Sequence, residues 1–395
     1  MSKPVFAPWP VFDAEIIDAV RNVLVSGKGN QWAGQHVYAF EKEYAQYLGI
    51  KNTIAMANGT VTMDVALKVL GIGPGDEVVV SSRSFVASAS CVAWAGALPV
   101  VADIDYSSGN VTAETIQIVV TKKTKAVIVV HLAGWPCEMD PIIKLCRSQK
   151  IFLIEDCAQA HGARYKDKPV GTFGHFASFS FCQDKIFSTG GEGGLLVTND
   201  QTLWKEAWSL KDHGRDFDVV FNHKSGTSFL WMVNSFGTNY RLTEMQAAIG
   251  RIMLTRLDGM VLERRKNAQM LNEAFASIPG LVVTQPSADC YHAYYKYYVQ
   301  IDPGRLKAGW SRDKILEELA AKGVVCGCGA CPEIYREKAF RNQRKKLRLP
   351  PEKRRSLAKR LGETCIMLQV HPTLSEEAIN YVIDSTREVL KRAVR

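Results

Sequence analysis

The chain has 395 residues, 47% of them hydrophobic and 23% charged, which is enough to bury a large core in one sizeable domain plus a smaller one and excludes a small, staple-dependent module. No apolar stretch reaches the roughly 18 residues that a membrane span needs, and the start, MSKPVFAPWPVFDAE, lacks a basic region followed by an apolar run, so a cytoplasmic protein with no membrane association is expected. The net charge of +9 is uneven, because Arg336 to Arg360 holds twelve Lys and Arg against two Glu; without interleaved aromatics or a nucleic-acid module, this run reads as a solvated helical face that can draw in anionic substrates, not as a nucleic-acid site.

In chain order, DAEIIDAVRNVLVSG has the spacing of an amphipathic helix. Apolar β-branched runs then alternate with helical patterns. The strand candidates are EVVVSS, LPVVADI, KAVIVVHL and IFLIEDCA; the helix candidates are VTMDVALKVLGI, VASASCVAWAG, TAETIQIVV and MDPIIKLCRSQ. That cadence predicts an α/β fold with a mostly parallel central sheet covered on both faces. FASFSF and GGLLVTN add two strands, and the run from Thr243, TEMQAAIGRIMLTRLDGMVLERRKNAQMLNEAFASI, predicts one long helix bridging to a second region. There the strand YYKYYVQI, the helix SRDKILEELAAKG, the strand VVCGCG and a terminal helix from Ser375 follow. The expected domains are 1–260, large, and 261–395, small and also α/β.

Ten scattered cysteines in an ordinary composition suit reduced thiols. Cys328 and Cys331 have the spacing of two zinc ligands, but no second pair accompanies them, and no metal is expected.

Ligands of doubly wound sheets sit beyond the carboxyl ends of the strands, and three strand-end features carry chemistry. Asn58-Gly59-Thr60 precedes a helix, where backbone amides and a hydroxyl favour an anion such as phosphate, or serve as a simple helix cap. In IFLIEDCAQAHG, Asp156 ends a buried strand, where a carboxylate needs a cationic partner, such as a protonated ring nitrogen, or a capping role. In SFCQDKIFSTGGEGG, Lys185 sits between a strand and a glycine-rich loop. A presented amine suits imine chemistry, and glycines admit close approach. A phosphate, a ring nitrogen seeking an acid and an aldehyde seeking a lysine together describe pyridoxal 5′-phosphate.

These motifs, with GIGPGDEVVVSSRSFVASASCVAWAGALPVVADID, EDCAQAHGA, SFSF, GGEGG and GTNYRLTEMQAAIG, resemble in order the DegT/DnrJ/EryC1/StrS family of PLP-dependent sugar aminotransferases, of fold type I, the aspartate aminotransferase-like class. The resemblance runs from about Val11 to the C-terminal helix. It implies that Lys185 forms the imine with the cofactor and moves the proton. It further implies that Asp156 pairs with the pyridinium, that Gln159 meets the phenolic oxygen, that Gly59, Thr60 and Ser180 hold the phosphate, and that Phe85 stacks on the ring. Asn239 matches a residue reaching the neighbouring subunit's phosphate, so the resemblance implies a homodimer with shared sites. His292 falls in a segment that closes over substrate, and Trp32 falls in a loop near the active site.

The reaction implied is transfer of an amine from an amino acid, L-glutamate first, to a nucleotide-linked keto sugar, for a surface polysaccharide or a secondary metabolite. The competing readings are a dehydratase or cyclitol aminotransferase on the same scaffold, and a non-catalytic regulator. Dehydratases of this kind replace the lysine, often by histidine, so Lys185 favours transfer. FCQDK, and an insertion between Asp212 and Asn239, depart from the commonest family pattern.

Overall fold

The computed structural model describes residues 4–222, 233–341, 347–349 and 356–395. Much of the insertion before Asn239 and of the basic run from Arg336 to Arg360 therefore lies outside the described residues.

Seven strands form the central sheet: β1 (Asn52–Met56), β2 (Glu77–Ser81), β3 (Leu98–Ala102), β4 (Thr124–Val130), β5 (Phe152–Asp156), β6 (Phe176–Ser180) and β7 (Gly194–Thr198). Their order is β1-β7-β6-β5-β4-β2-β3. Only β7 runs against the others, pairing antiparallel with both β1 and β6. The interior strands carry near-continuous apolar runs, such as Val78–Val80 and Ala126–Val130, because helices cover both faces, which is the behaviour expected of parallel sheets. Three core clusters pack on the sheet, one around Phe40, Tyr44, Phe179 and Leu257, one around Met63, Val80, Ile128 and Trp208, and one around Val79, Val127, Val129 and Leu153.

A second, four-stranded sheet is antiparallel, in the order β8 (Leu281–Val282), β9 (Tyr297–Ile301), β11 (Cys365–Leu368), β10 (Cys326–Gly327). Its own core includes Leu271, Phe275, Val299, Leu319, Ile379 and Leu390, with Phe6 of the N-terminal segment packed against it. Residues between the third and fourth of these strands in sequence return to the first sheet: Ile334, Tyr335 and Phe340 join one of its cores, and Ala358 and Leu361 join another.

The run from Thr243 is two helices, Glu244–Thr255 and Leu257–Phe275, and not the single one its pattern predicts. Thr243 starts the first with a reciprocal capping box to Gln246. At the break, the Thr255 hydroxyl donates to the Ile252 carbonyl, a local bond that competes with the helical ladder. Arg256, between the helices, pairs with Asp13 and Glu15 at the start of the first helix. The helix His36–Leu48 and the strands β1 and β11 are additions that the reading by eye does not isolate.

Candidate active site

The sheet brings its chemistry to one edge. Asp156 is the last residue of β5, opposite Val130 of β4 and Ser178 of β6. Its Oδ2 accepts from the Ser88 hydroxyl at 2.7 Å and its Oδ1 from the Ala158 N–H at 3.1 Å. Two fixed donors orient the carboxylate and stop it rotating. Gly194 lies opposite both Met56 and Ser180, so the turn after β1 is pressed against the end of β6. A Cβ on Gly59 would fall 2.7 Å from the Ser180 Cβ, and one on Gly194 would fall 2.3 Å from the Asn58 carbonyl; only glycine permits these approaches. Asn58 caps the helix Gly59–Val69, accepting from the N–H groups of Thr60 and Val61. The cap thus occupies two of the donors at that helix start, and Gly59, the Thr60 hydroxyl and the Ser180 hydroxyl face the space beyond.

Lys185 stands on a loop fastened at both sides. Phe181 and Phe187 are fully buried and stack on each other, with centroids 4.8 Å apart. The Trp9 indole N–H donates to the Lys185 carbonyl at 2.8 Å. Behind the loop, buried His161 donates from Nε2 to the Ser180 carbonyl and accepts at Nδ1 from the Tyr44 hydroxyl, and burial pushes its pKa down to about 3. The Lys185 Nζ lies 5.1 Å from the centre of the Tyr295 ring. Asp184 accepts from the Tyr295 hydroxyl and lies 3.6 Å from the Lys296 Nζ. Burial pushes the Asp184 carboxyl up, but the Tyr295 bond and the charges of Lys185 and Lys296 outweigh it and hold the group below its usual range.

A cavity of about 830 Å³ joins these groups: Gly59, Thr60, Phe85, Asp156, Gln159, Ser180 and Lys185 all line it. The opposite wall comes from the region of the second sheet, including Lys296, Tyr298, Cys331 and Gln369. Phe85 is 65% exposed, which leaves a ring face bare to the cavity. The Gln159 Oε1 accepts from the Ala133 N–H at 2.8 Å, so its Nε2 is the donor left for a ligand. An anion cradle, a fixed carboxyl group, a bare aromatic face, an amide donor and an amine in one cavity fit the phosphate, ring nitrogen, ring, phenolic oxygen and aldehyde of pyridoxal phosphate.

The sequence matches the DegT/DnrJ/EryC1/StrS aminotransferase family over residues 10–387. The chain belongs to that family. Among its relatives, a spore coat polysaccharide biosynthesis protein, SpsC, of Bacillus subtilis is 32% identical, over 98% of each chain. A GDP-perosamine synthase of Escherichia coli O157:H7 is also 32% identical, over 94% of this chain and 93% of its own. The crystal structure of an aminotransferase from Psychrobacter cryohalolentis is 46% identical, with a TM-score of 0.95, over 98% of this chain and 99% of its own. This family member is accordingly a fold type I, pyridoxal phosphate-dependent aminotransferase.

Three residues singled out in the sequence do not line the cavity of this aminotransferase. His292 is buried, stacks on Tyr294 at 3.8 Å and accepts from the Tyr294 N–H at 2.9 Å. Burial pushes its pKa down to about 3, and it lines a separate small cavity. It is a packed ring outside the cavity that Lys185 lines. Trp32 packs edge-on to Trp208, with the Arg215 guanidinium 5.0 Å above its ring. Asn239 is exposed and bridges to Asp212, whose carboxylate takes both Arg215 and Arg241. Trp32 and Asn239 thus share one surface patch outside the chain's own cavity.

Sequence reasoning missed Ser88, Trp9, Tyr295, Lys296 and Gln369 as neighbours of the reacting groups. Ser88 sits inside a small-residue helix, and the others come from segments remote in sequence, so no local pattern marks them. Among the described residues, one cluster has metal-ligating types, His131, Glu155 and Cys157. The Glu155 oxygens accept from the N–H groups of Gly171, Phe173 and Gly174 and lie against His131. That carboxylate anchors the loop before β6.

Proposed function

We propose that the enzyme moves the amino group of an amino acid, L-glutamate first among donors, onto the keto carbon of a nucleotide-linked sugar, a 4-keto-6-deoxy or 3-keto sugar, in the making of an amino sugar for a surface polysaccharide or a secondary metabolite. The observation that carries this reading is Lys185, presented beside Asp156 in one cavity, in a chain that resembles a GDP-perosamine synthase along almost its whole length. The dehydratase reading lacks its usual signature, since the lysine is retained.

Pyridoxal phosphate supplies an aldehyde and an electron-withdrawing ring. The protein supplies everything else. Gly59, Thr60 and Ser180 would hold the phosphate, and Phe85 would cover one ring face. Asp156, held by Ser88 and the Ala158 N–H, would accept from the protonated ring nitrogen. Gln159 would donate from Nε2 to the phenolic oxygen. Lys185 Nζ is the group that takes the proton from the donor's amine-bearing carbon, and later delivers one to the sugar carbon that gains nitrogen. In the first half-reaction the amino acid leaves its nitrogen on the cofactor, takes up water and departs as its 2-oxo acid; in the second the keto sugar takes up that nitrogen and releases water. On the opposite wall, the Lys296 side chain is 13% exposed, and its Nζ lies 3.0 Å from Gln369; a cation there suits the charge of an anionic substrate.

The working unit is a homodimer in which Asn239 and Trp32 of each chain reach the other chain's cavity; their common patch away from their own cavity supports this. Its ten cysteines, all unpaired, suit the cytoplasm.

The test is a panel of nucleotide-linked keto sugars, generated in situ, incubated with holoenzyme and L-glutamate and scored by mass spectrometry. The expected product is an amino sugar formed with stoichiometric 2-oxoglutarate. Release of ammonia with a deoxygenated sugar would establish the dehydratase reading instead.

A further inference from the structure

Arg83 is 1% exposed, and its three guanidinium nitrogens have no oxygen or nitrogen partner, only the neutral Cys365 sulfur within reach. It lines a cavity of about 30 Å³ enclosed between the end of β2, the turn at Ser107–Gly109, and Tyr298, Gln300 and Cys365 of the second sheet. Among the described residues, no Asp or Glu lines this cavity. Asp105, which anchors the neighbouring turn, spends its Oδ2 on the N–H groups of Ser107 and Ser108 and the Ser108 hydroxyl.

The neutral neighbours stay neutral. Burial pushes the Cys365 thiol up, and the nearby Arg83 only partly opposes it. Burial likewise pushes the Tyr298 phenol up to about 12, and Tyr298 offers Arg83 only its ring face, 5.4 Å from the guanidinium carbon. His292, with its lowered pKa, adds no charge. A buried cation without a counter-charge is costly by several kcal/mol, and an arginine cannot shed its proton to escape the cost.

We infer that this cavity is a binding site for a small monovalent anion of chloride size, held by Arg83 between the large sheet and the second sheet. One water needs roughly 10–15 Å³, so the volume suits a monatomic ion with one water. That water has a partner waiting: Gln300 donates from Nε2 to the Tyr106 carbonyl and leaves its Oε1 unpaired, ready to accept one hydrogen while the other points to the anion. The site also touches catalysis. Arg83 directly precedes Ser84 and Phe85, and Tyr298 lines both this cavity and the active one. The anion pins the second sheet to the strand end that carries the ring-stacking phenylalanine.

The experiment uses the holoenzyme. Melting temperature is followed in sodium chloride and in sodium gluconate at equal ionic strength, and crystals are soaked in sodium bromide for anomalous diffraction. A saturable rise with chloride of roughly 1–3 °C over the gluconate control, its loss in Arg83→Met, and a bromide peak against the Arg83 guanidinium are expected. Should Arg83→Met not fold, the wild-type chloride response and the bromide map decide between them. A water at Arg83 in bromide-soaked crystals, identical melting in the two salts, or a chloride response that survives in Arg83→Met would overturn the assignment.

Discussion

The Ser88 hydroxyl donates to Oδ2 of Asp156 at 2.7 Å, across 68 residues of sequence. Ser88 itself shares a 2.9 Å bond with Ser84, just ahead of Phe85, so one short chain of hydroxyls ties the acid to the aromatic wall. Ser88→Ala removes a hydrogen bond to a charged group, worth about 1.5–3 kcal/mol. Turnover should fall on the order of tenfold or more, while the cofactor stays bound. Asp156→Asn should keep the cofactor and slow proton transfer further. Single-turnover rates, read from the change in cofactor absorbance, check both; wild-type rates in Asp156→Asn would remove its proposed role.

Gly194→Ala tests the close approach at the phosphate end. Its Cβ would lie 2.3 Å from the Asn58 backbone, and backbone cannot step aside as a flexible side chain can. The Asn58 cap must shift, with an overpacking cost of about 1–3 kcal/mol, and cofactor affinity should drop roughly tenfold or more. Gly29→Ala, whose Cβ meets nothing within 4 Å, is the control. Equal cofactor affinity in the two variants would refute the cradle.

Subunit mixing tests the sharing of sites. Lys185→Ala should be inactive and lack the visible absorption of the lysine-bound cofactor, and Asn239→Ala should be severely impaired. A heterodimer of the two has one site with both native residues, so random mixing should restore roughly a quarter of wild-type activity. If Asn239 served its own chain, mixing would restore nothing.

Acid should weaken the fold through its buried histidines. The folded-state pKa of His161 is about 3, against an ordinary value of 6.5. Between those values the unfolded chain binds a proton that the folded chain refuses, so stability is lost as pH falls below 6.5, by up to about 1.4 kcal/mol per pH unit. The partly buried acids Glu41 and Asp64, pushed up to about 7 and about 6, work in the opposite sense. Comparing wild type with His161→Gln cancels them. The stability advantage of wild type in urea titrations should shrink from pH 7 to pH 4; a constant difference would mean that His161 titrates normally.

The residues at the cofactor end were legible because the chemistry is local to strand ends. A run of apolar β-branched residues that stops at Asp156 or before Lys185 marks a carboxyl end whether or not its neighbours are known, and a parallel sheet collects such ends along one edge. For that reason Gly59, Thr60, Phe85, Asp156, Gln159, Ser180 and Lys185 are found in one cavity. The break at Arg256 was not legible, since helical periodicity continues on both sides of it and the competing bonds come from Thr255 and from the distant Asp13.

What the sequence alone determined is the class of fold and which residue types stand at the strand ends, because periodicity and strand-end residue type survive without coordinates. Only the tertiary structure decided which remote side chains surround those groups. His292 has the right chemistry but is stacked on Tyr294 behind the wall, while Lys296, four residues on, lines the cavity. Likewise, Arg83 reads in sequence as one more surface cation, and its burial without a counter-charge arises only where the second sheet closes over the end of β2. Pairwise packing between segments hundreds of residues apart sets both outcomes, and no local pattern in the chain encodes it.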